Sequence, residues 1–235
     1  DFNEYYFDAD VVENGEVIAH FEDTPLQFTY VPRAQFAVDV AGFNGDISAW
    51  KNSYPVMVNT PEKPSDEKSW DNANAAMRVY TQWDDRYLYV LARVNDDIHL
   101  NSQAPGANIW NGDNIQISID ADHTRTTGYD NGDYEYGFSL LDSGQANTAW
   151  RGDNEAFNNM EYKIVRNEQD KTTMYLLKFP EQAVSPLRLK AGSRFGMNFV
   201  LNECDYIVRD YYYELTEGTA KTKSPIYYHT WVLGR

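Results

Sequence analysis

Two kinds of chemistry are readable from the side chains before any fold is considered. The first is ring stacking. Trp110 stands between a Pro105-Gly106 loop and the start of an alternating segment, and Trp150 lies in Asn147-Thr148-Ala149-Trp150-Arg151-Gly152-Asp153-Asn154, one ring among planar polar groups in a loop-like stretch. A flat ring with amide and carboxylate neighbours suits a pyranose, whose axial C–H groups pack on the ring while its hydroxyls seek hydrogen bonds. A loop anchor or core plug is the competing reading for both. Tyr134 and Tyr136 share one strand face and either extend such a platform or pack within a sheet. Trp50, Trp70, Trp83 and Trp231 read as structural, with Trp83 closing a hairpin and Trp231 in the final strand.

The second chemistry is hard-cation binding. Asp120, Asp122, Asp130 and Asp133 put several carboxylates on loops, where calcium takes six to eight oxygens at about 2.3–2.6 Å. The spacing is not that of an EF-hand, because Arg125 occupies the turn-glycine position and no Glu stands twelfth. Catalytic signatures are missing. There is no Gly-x-Ser-x-Gly elbow, and His20, His99, His123 and His229 lack metal spacing and read as surface or turn residues. In so acidic a chain any two carboxylates can be nominated as a glycosidase pair, so none is identified.

These groups must be held by strands. Tyr87 to Val94 alternates, as do Ile115-Ile117-Ile119 and Tyr136-Phe138-Leu140, all flanked by turn residues. Further strands are expected over Ala76–Gln82, Glu161–Arg166, Thr173–Phe179, Arg194–Leu201, Tyr211–Leu215 and Tyr228–Leu233, with hairpin turns at 83–86 and 167–170 and one short helical turn over Pro180–Val184. Many short strands without alternating helices predict an all-β antiparallel β-sandwich of immunoglobulin-like or jelly-roll-like type. Gln116 shares a strand face with Ser118 and Asp120, and that face reads as solvated. Residues 1–35 form an acid-rich N-terminal extension or linker remnant, and residues 36–235 the sandwich. The apolar Phe2, Tyr5, Tyr6 and Phe7 argue for an ordered extension, either a remnant or strands joining the sandwich edge.

Composition bounds the partners. The 235 residues include 20 basic and 36 acidic ones, a net charge of −16. That field repels phosphate backbones, and no basic cluster offers relief, so nucleic acid and anionic lipid are poor partners. No apolar run of 18 residues occurs, so membrane insertion is not expected. The single Cys204 forms no internal bridge. The chain starts at Asp1 without a signal-like segment and reads as a piece of a larger protein.

The segment Phe43-Asn44-Gly45-Asp46-Ile47-Ser48-Ala49-Trp50 resembles the opening of family 9 carbohydrate-binding modules. The hairpin Trp83-Asp84-Asp85-Arg86-Tyr87-Leu88-Tyr89-Val90 and the strand Ile109-Trp110-Asn111-Gly112-Asp113-Asn114-Ile115-Gln116-Ile117-Ser118-Ile119-Asp120 resemble that family's next two motifs, followed by Thr127-Gly128-Tyr129 with Asp130 and Asp133. The similarity covers roughly residues 36–235 and is densest over 76–140. It implies an extracellular or cell-surface, non-catalytic sugar-binding β-sandwich with structural calcium, attached to neighbouring domains of a polysaccharide-degrading enzyme or surface protein. Trp110 matches the family's stacking tryptophan, and Gln116 the position of a hydrogen-bonding glutamate. The second clamp tryptophan has no counterpart in Ala220-Lys221-Thr222-Lys223-Ser224-Pro225, and Gly137-Phe138 falls where a sugar-binding arginine would stand. Two other readings follow: a structural or interaction sandwich that has lost sugar binding, and a haem-binding sandwich ligated by methionine, although Met57, Met77, Met160, Met174 and Met197 mostly sit at core-like strand positions. The charge favours a neutral xylan, glucan or galactan.

Overall fold

A computed structural model describes residues 5–26, 28–59 and 74–235; Phe2 and Trp70 lie outside them. In chain order the strands are β1 (Tyr5–Glu13), β2 (Glu16–Leu26), β3 (Phe28–Val31), β4 (Val56–Val58), β5 (Ala75–Trp83), β6 (Tyr87–Asp96), β7 (Asn114–Asp120), β8 (Asp133–Leu141), β9 (Gly144–Arg151), β10 (Glu161–Asn167), β11 (Thr172–Pro180), β12 (Arg194–Glu203), β13 (Tyr211–Glu214) and β14 (His229–Leu233). The expected all-β sandwich is present. One layer has the order β10-β11-β6-β5-β4, and the other β3-β14-β12-β7-β8-β9, with β13 continuing the β14 edge of β12.

The core follows from period two and register. Ile115, Ile117 and Ile119 on β7 lie beside Phe138, Tyr136 and Tyr134 on β8 and beside Leu201, Phe199 and Met197 on β12. These nine residues point one way. They meet Val79 and Trp83 of β5, Leu88, Val90 and Ala92 of β6, and Leu177 and Phe179 of β11 in a single apolar cluster. Met77 and Met197 are fully buried in it, as core methionines. The outer face of the five-stranded layer carries Tyr89, Leu91 and Leu176, which Val40 and Trp50 cover. Buried Trp50, Trp83 and Trp231 are structural, as expected.

Within the first 35 residues, β1 and β2 form their own hairpin, and β3 joins the sandwich as the edge strand parallel to β14. The hairpin turns on Asn14 (φ 53°) and Gly15 (φ 86°), the Asn-Gly pair that fits a tight primed turn. The stretch around Trp150, read as loop-like, is strand β9, paired with β8 along its length.

The β3–β14 seam carries a buried titration. His229 Nε2 lies 2.8 Å from Thr29 Oγ1, and the ring stands edge-on to Trp231. Burial, and then the charge of Arg125, push the imidazole down to about 4. The folded chain therefore holds His229 neutral where the unfolded chain is protonated. Its contribution is complete above the unfolded value near 6.5 and is lost as pH falls towards 4. Urea unfolding at pH 7.5 and 4.5 should show His229→Gln losing less stability on acidification than the wild type, by on the order of 2 kcal/mol. Equal acid sensitivity would sink this assignment.

Candidate functional site

The outer face of β7 is polar and yet buried. Gln116, Ser118 and Asp120 are 5%, 0% and 0% exposed, so the solvated face expected from the sequence is corrected. Covering groups arrive from the flanking loops. Tyr129, in the loop between β7 and β8, lies 3.5 Å from Ser118 Oγ and donates to Glu135 Oε2 at 2.9 Å. Tyr228 donates to Tyr129 at 3.1 Å, and Lys223 Nζ reaches Glu135 Oε1 at 2.6 Å. Burial and then the charges of Tyr228 and Glu135 push the Tyr129 hydroxyl well above its usual value, so it stays a neutral donor.

Where this cover stops, a cleft of about 510 Å³ opens, lined by Trp110, Gln116, Tyr129, Glu135, Trp150 and Arg151, and closed by Arg209, Ala220 and Lys223. That volume is in the range of small-ligand sites. Trp110 sits in the 3-10 turn Ala107–Asn111 and is 38% exposed. The turn is fixed by buried amides. Asn101 and Asn114 both donate to the Ile109 carbonyl, and Asn114 also donates to Gly112. Gly112 is required there, because a Cβ would lie 2.5 Å from the Asn101 side chain. Asn202 donates to Asn114 Oδ1 at 3.0 Å and accepts from Arg209 at 2.8 Å. Arg209 then lies over Trp110, with its guanidinium carbon 4.8 Å from the ring centroid. The amide relay thus places the ring and the guanidinium together.

Trp150 enters from the other side. Its ring crosses β8 at Gly137, where a Cβ would meet it at 2.3 Å, and its Nε1 donates to the Ala107 carbonyl at 2.8 Å. The glycine that displaced the expected arginine in the resemblance is therefore the seat of a second tryptophan. Glycine costs little here, since the neighbouring ring fills the space its side chain leaves.

The structure brings Trp110, Gln116 and Trp150 to one cleft and removes Tyr134 from it. Tyr134 is 8% exposed, opposite Ile119 in the inward register, and its hydroxyl donates to the Ser185 carbonyl. A platform role for Tyr134 is corrected on that ground, and the same register puts Tyr136 in the core. Glu135, Tyr129, Arg151, Lys223 and Arg209 were not foreseen. Glu135 was legible, since period two places it on the same face as Gln116 once β7 and β8 are paired.

The four loop aspartates do gather. Asp120 accepts from the amides of Thr124 and Arg125, the Thr124 hydroxyl bridges Asp122 and Asp130, and Asp133 Oδ2 accepts from the Asp130 amide. Asp133 Oδ1 is buried with no hydrogen bond. Burial pushes Asp120 up to about 6 and Asp133 up to about 7. Charge and one free oxygen suit a hard cation, while internal hydrogen bonds satisfy most of the other oxygens. Among the described residues, the acidic or histidine trios whose ligand atoms lie within 4.8 Å of one another are elsewhere: Asp96 with His99 and Asp113, and Asp96 with Asp97 and Glu203. His99 is thus a buried network residue, which corrects its reading as a surface or turn histidine.

The family described as carbohydrate family 9 binding domain-like matches residues 44–234. Endo-1,4-beta-xylanase A of Thermoanaerobacterium saccharolyticum is 33% identical over 87 residues, which are 37% of this chain and 7% of that protein. Endo-1,4-beta-xylanase A of Thermotoga maritima is 29% identical over 144 residues, 55% of this chain and 13% of that protein. The chain therefore matches only a small part of these relatives. Among solved structures, a carbohydrate binding module family 9 from Caldicellulosiruptor kristjanssonii in complex with cellotriose aligns with a TM-score of 0.69 at 18% identity, over 88% of this chain and 94% of that one. The same module in complex with glucose gives the same score. That likeness is one of fold.

Proposed function

Because the chain belongs to the carbohydrate family 9 binding domain-like proteins, whose members are non-catalytic sugar-binding modules, we propose that it binds a neutral oligosaccharide or polysaccharide in the Trp110–Trp150 cleft. The observation that carries this is the exposed Trp110 ring set beside Gln116 and Arg209, an apolar slab next to planar hydrogen-bonding groups. A pyranose presents matching surfaces, C–H groups to the ring and hydroxyls to the amide and guanidinium. Arg209 lies over one face of Trp110, so the sugar stacks on the other. Tyr129 donates and Glu135 accepts at the opposite wall.

Calcium belongs to the same reading. Asp120, Asp122, Asp130 and Asp133 would hold it, with Asp133 Oδ1 as the free ligand, and the ion would neutralise carboxylates that otherwise repel one another. The chemistry it supplies is structural. It would fix the loop that carries Tyr129 to the cleft. The parent protein would be secreted and would use this module to raise its local concentration at a polysaccharide, an arrangement favoured by the two xylanase relatives.

Neutral β-linked glucans are the first candidates, since the similar module was solved with cellotriose and with glucose, and xylans the second. Calorimetry with cello- and xylo-oligosaccharides tests the function. Saturable binding is expected, and Arg209→Ala should weaken it about tenfold by removing a charge-assisted hydrogen bond. A second reading has one observation in its favour: Ala220 and Lys223 form the wall where a clamping aromatic residue would stand. If no glycan binds across a broad array, the protein is an interaction sandwich that has kept the fold alone.

A further inference from the structure

Below the Trp110 turn, where β6 and β12 end, is a group of carboxylates that the sugar site does not use. Asp96 is the last residue of β6, Asp97 follows it, and Glu203 is the last residue of β12. One carboxylate oxygen from each lies within 4.8 Å of the other two. Glu203 is 1% exposed, and neither of its carboxylate oxygens has a hydrogen-bond partner; Asp96, also 1% exposed, leaves Oδ1 unpaired. Three buried acceptor oxygens without a donor are costly in the absence of a compensating positive charge.

The neighbouring groups do not supply it. His99 Nε2 lies 2.9 Å from the Leu140 carbonyl and so carries a proton, and Nδ1 faces Asp96 Oδ2 at 3.1 Å and carries the other. Burial opposes that charge, but the Asp96 hydrogen bond and the charge of Asp113 outweigh it and raise the imidazole above its ordinary value. Arg166 also approaches Asp96 on Oδ2, at 3.5 Å. Asp113 is consumed by the backbone amides of Leu100 and Cys204. Both cations therefore serve the far side of Asp96. The strongest charges acting on Glu203 are Asp113, Asp96, Asp205 and Asp97, all negative.

We propose that Asp96, Asp97 and Glu203 bind a hard divalent cation of the calcium class. Three carboxylates offer up to six oxygens, which suits calcium's six to eight, and magnesium's stricter octahedron less well. Exposed Asp97 gives the ion a path from solvent. The ion joins β6 of the five-stranded layer to β12 of the seven-stranded layer, so it crosslinks the sandwich at one end. It also braces the cleft from below, since Glu203 adjoins Asn202 of the amide relay and its carbonyl accepts from Asp210, next to Arg209.

Calcium chloride titrated into the chelator-stripped protein, followed by calorimetry and by terbium luminescence, tests the site without any sugar, so its failure is separate from failure of the carbohydrate reading. Asp97→Asn and Glu203→Gln should each weaken one binding event at least tenfold, whereas Asp122→Asn should leave that event in place. The wild-type melting temperature should rise by about 5–10 °C at a hundredfold excess of calcium over Kd. Asp97 is exposed, so its variant folds even if the buried one does not. Glu203→Gln also mimics a protonated Glu203. Unchanged calcium binding in both variants would mean that the buried carboxylates hold protons, and would overturn the site. Absence of calcium uptake by the wild type, or loss of all uptake in Asp122→Asn, would overturn it equally.

Discussion

Trp110→Ala is expected to lower affinity for the bound glycan by about 10- to 100-fold, the 1–3 kcal/mol that a stacked ring typically contributes, while leaving the melting temperature within about 2 °C of wild type. The two halves of that expectation have separate causes. The indole is exposed and contributes little to the core, whereas the backbone that carries it is tied down by Asn101 and Asn114 through the Ile109 and Gly112 carbonyls. Removing the ring therefore removes a surface without loosening its support. Trp110→Phe should recover part of the loss, since a smaller ring keeps a face for the sugar. Calorimetry with the tightest-binding oligosaccharide and a thermal melt on the same samples decide the matter. An alanine variant that binds like wild type puts the sugar elsewhere.

Trp83→Ala should do the opposite, costing about 3–5 kcal/mol of stability and about 8–15 °C in melting temperature. Trp83 is fully buried, and its Nε1 donates to the Gly234 carbonyl at 3.1 Å. Its own backbone takes part in two bonds to the incoming chain, accepting from Ala34 and donating to Pro32, while Arg33 lies over its ring at 4.8 Å. One side chain thus gathers the start of the sandwich, its last residues and the β5–β6 hairpin. Truncation opens a cavity where three segments meet. Chemical denaturation of wild type, Trp83→Phe and Trp83→Ala should give a graded series. An alanine variant within 1 kcal/mol of wild type would mean that the surrounding strands collapse into the space.

The sandwich was legible because strand periodicity is local: Tyr87 to Val94 and Ile115 to Ile119 announce a buried face without help from the rest of the chain. What a ring faces is not local. Tyr134 reads as a platform by itself and becomes a core residue once β8 is set against β7 with Tyr134 opposite Ile119. Trp150 was placed in a loop because Asn147, Thr148, Gly152 and Asn154 are turn-prone, but pairing with β8 overrides that preference. Arg209 carries no sequence signal at all. It reaches Trp110 only because the β12–β13 hairpin returns it to Asn202, seven residues earlier in the chain but more than 80 residues from its partner Asn114. The buried trio of Asp96, Asp97 and Glu203 was hidden for the same reason, in a chain where acidic residues are too common for any one to stand out.

The guanidinium resting on one side of Trp110 also sets a clock. With a single ring face free, each encounter has one stacking plane, and for an affinity on the order of 0.1 mM and an association rate constant of about 10⁶ M⁻¹s⁻¹ the complex lasts about 10 ms. A hold that brief lets go often enough for its carrier to step along a polymer, with repeated rebinding rather than one long grip keeping it at the surface.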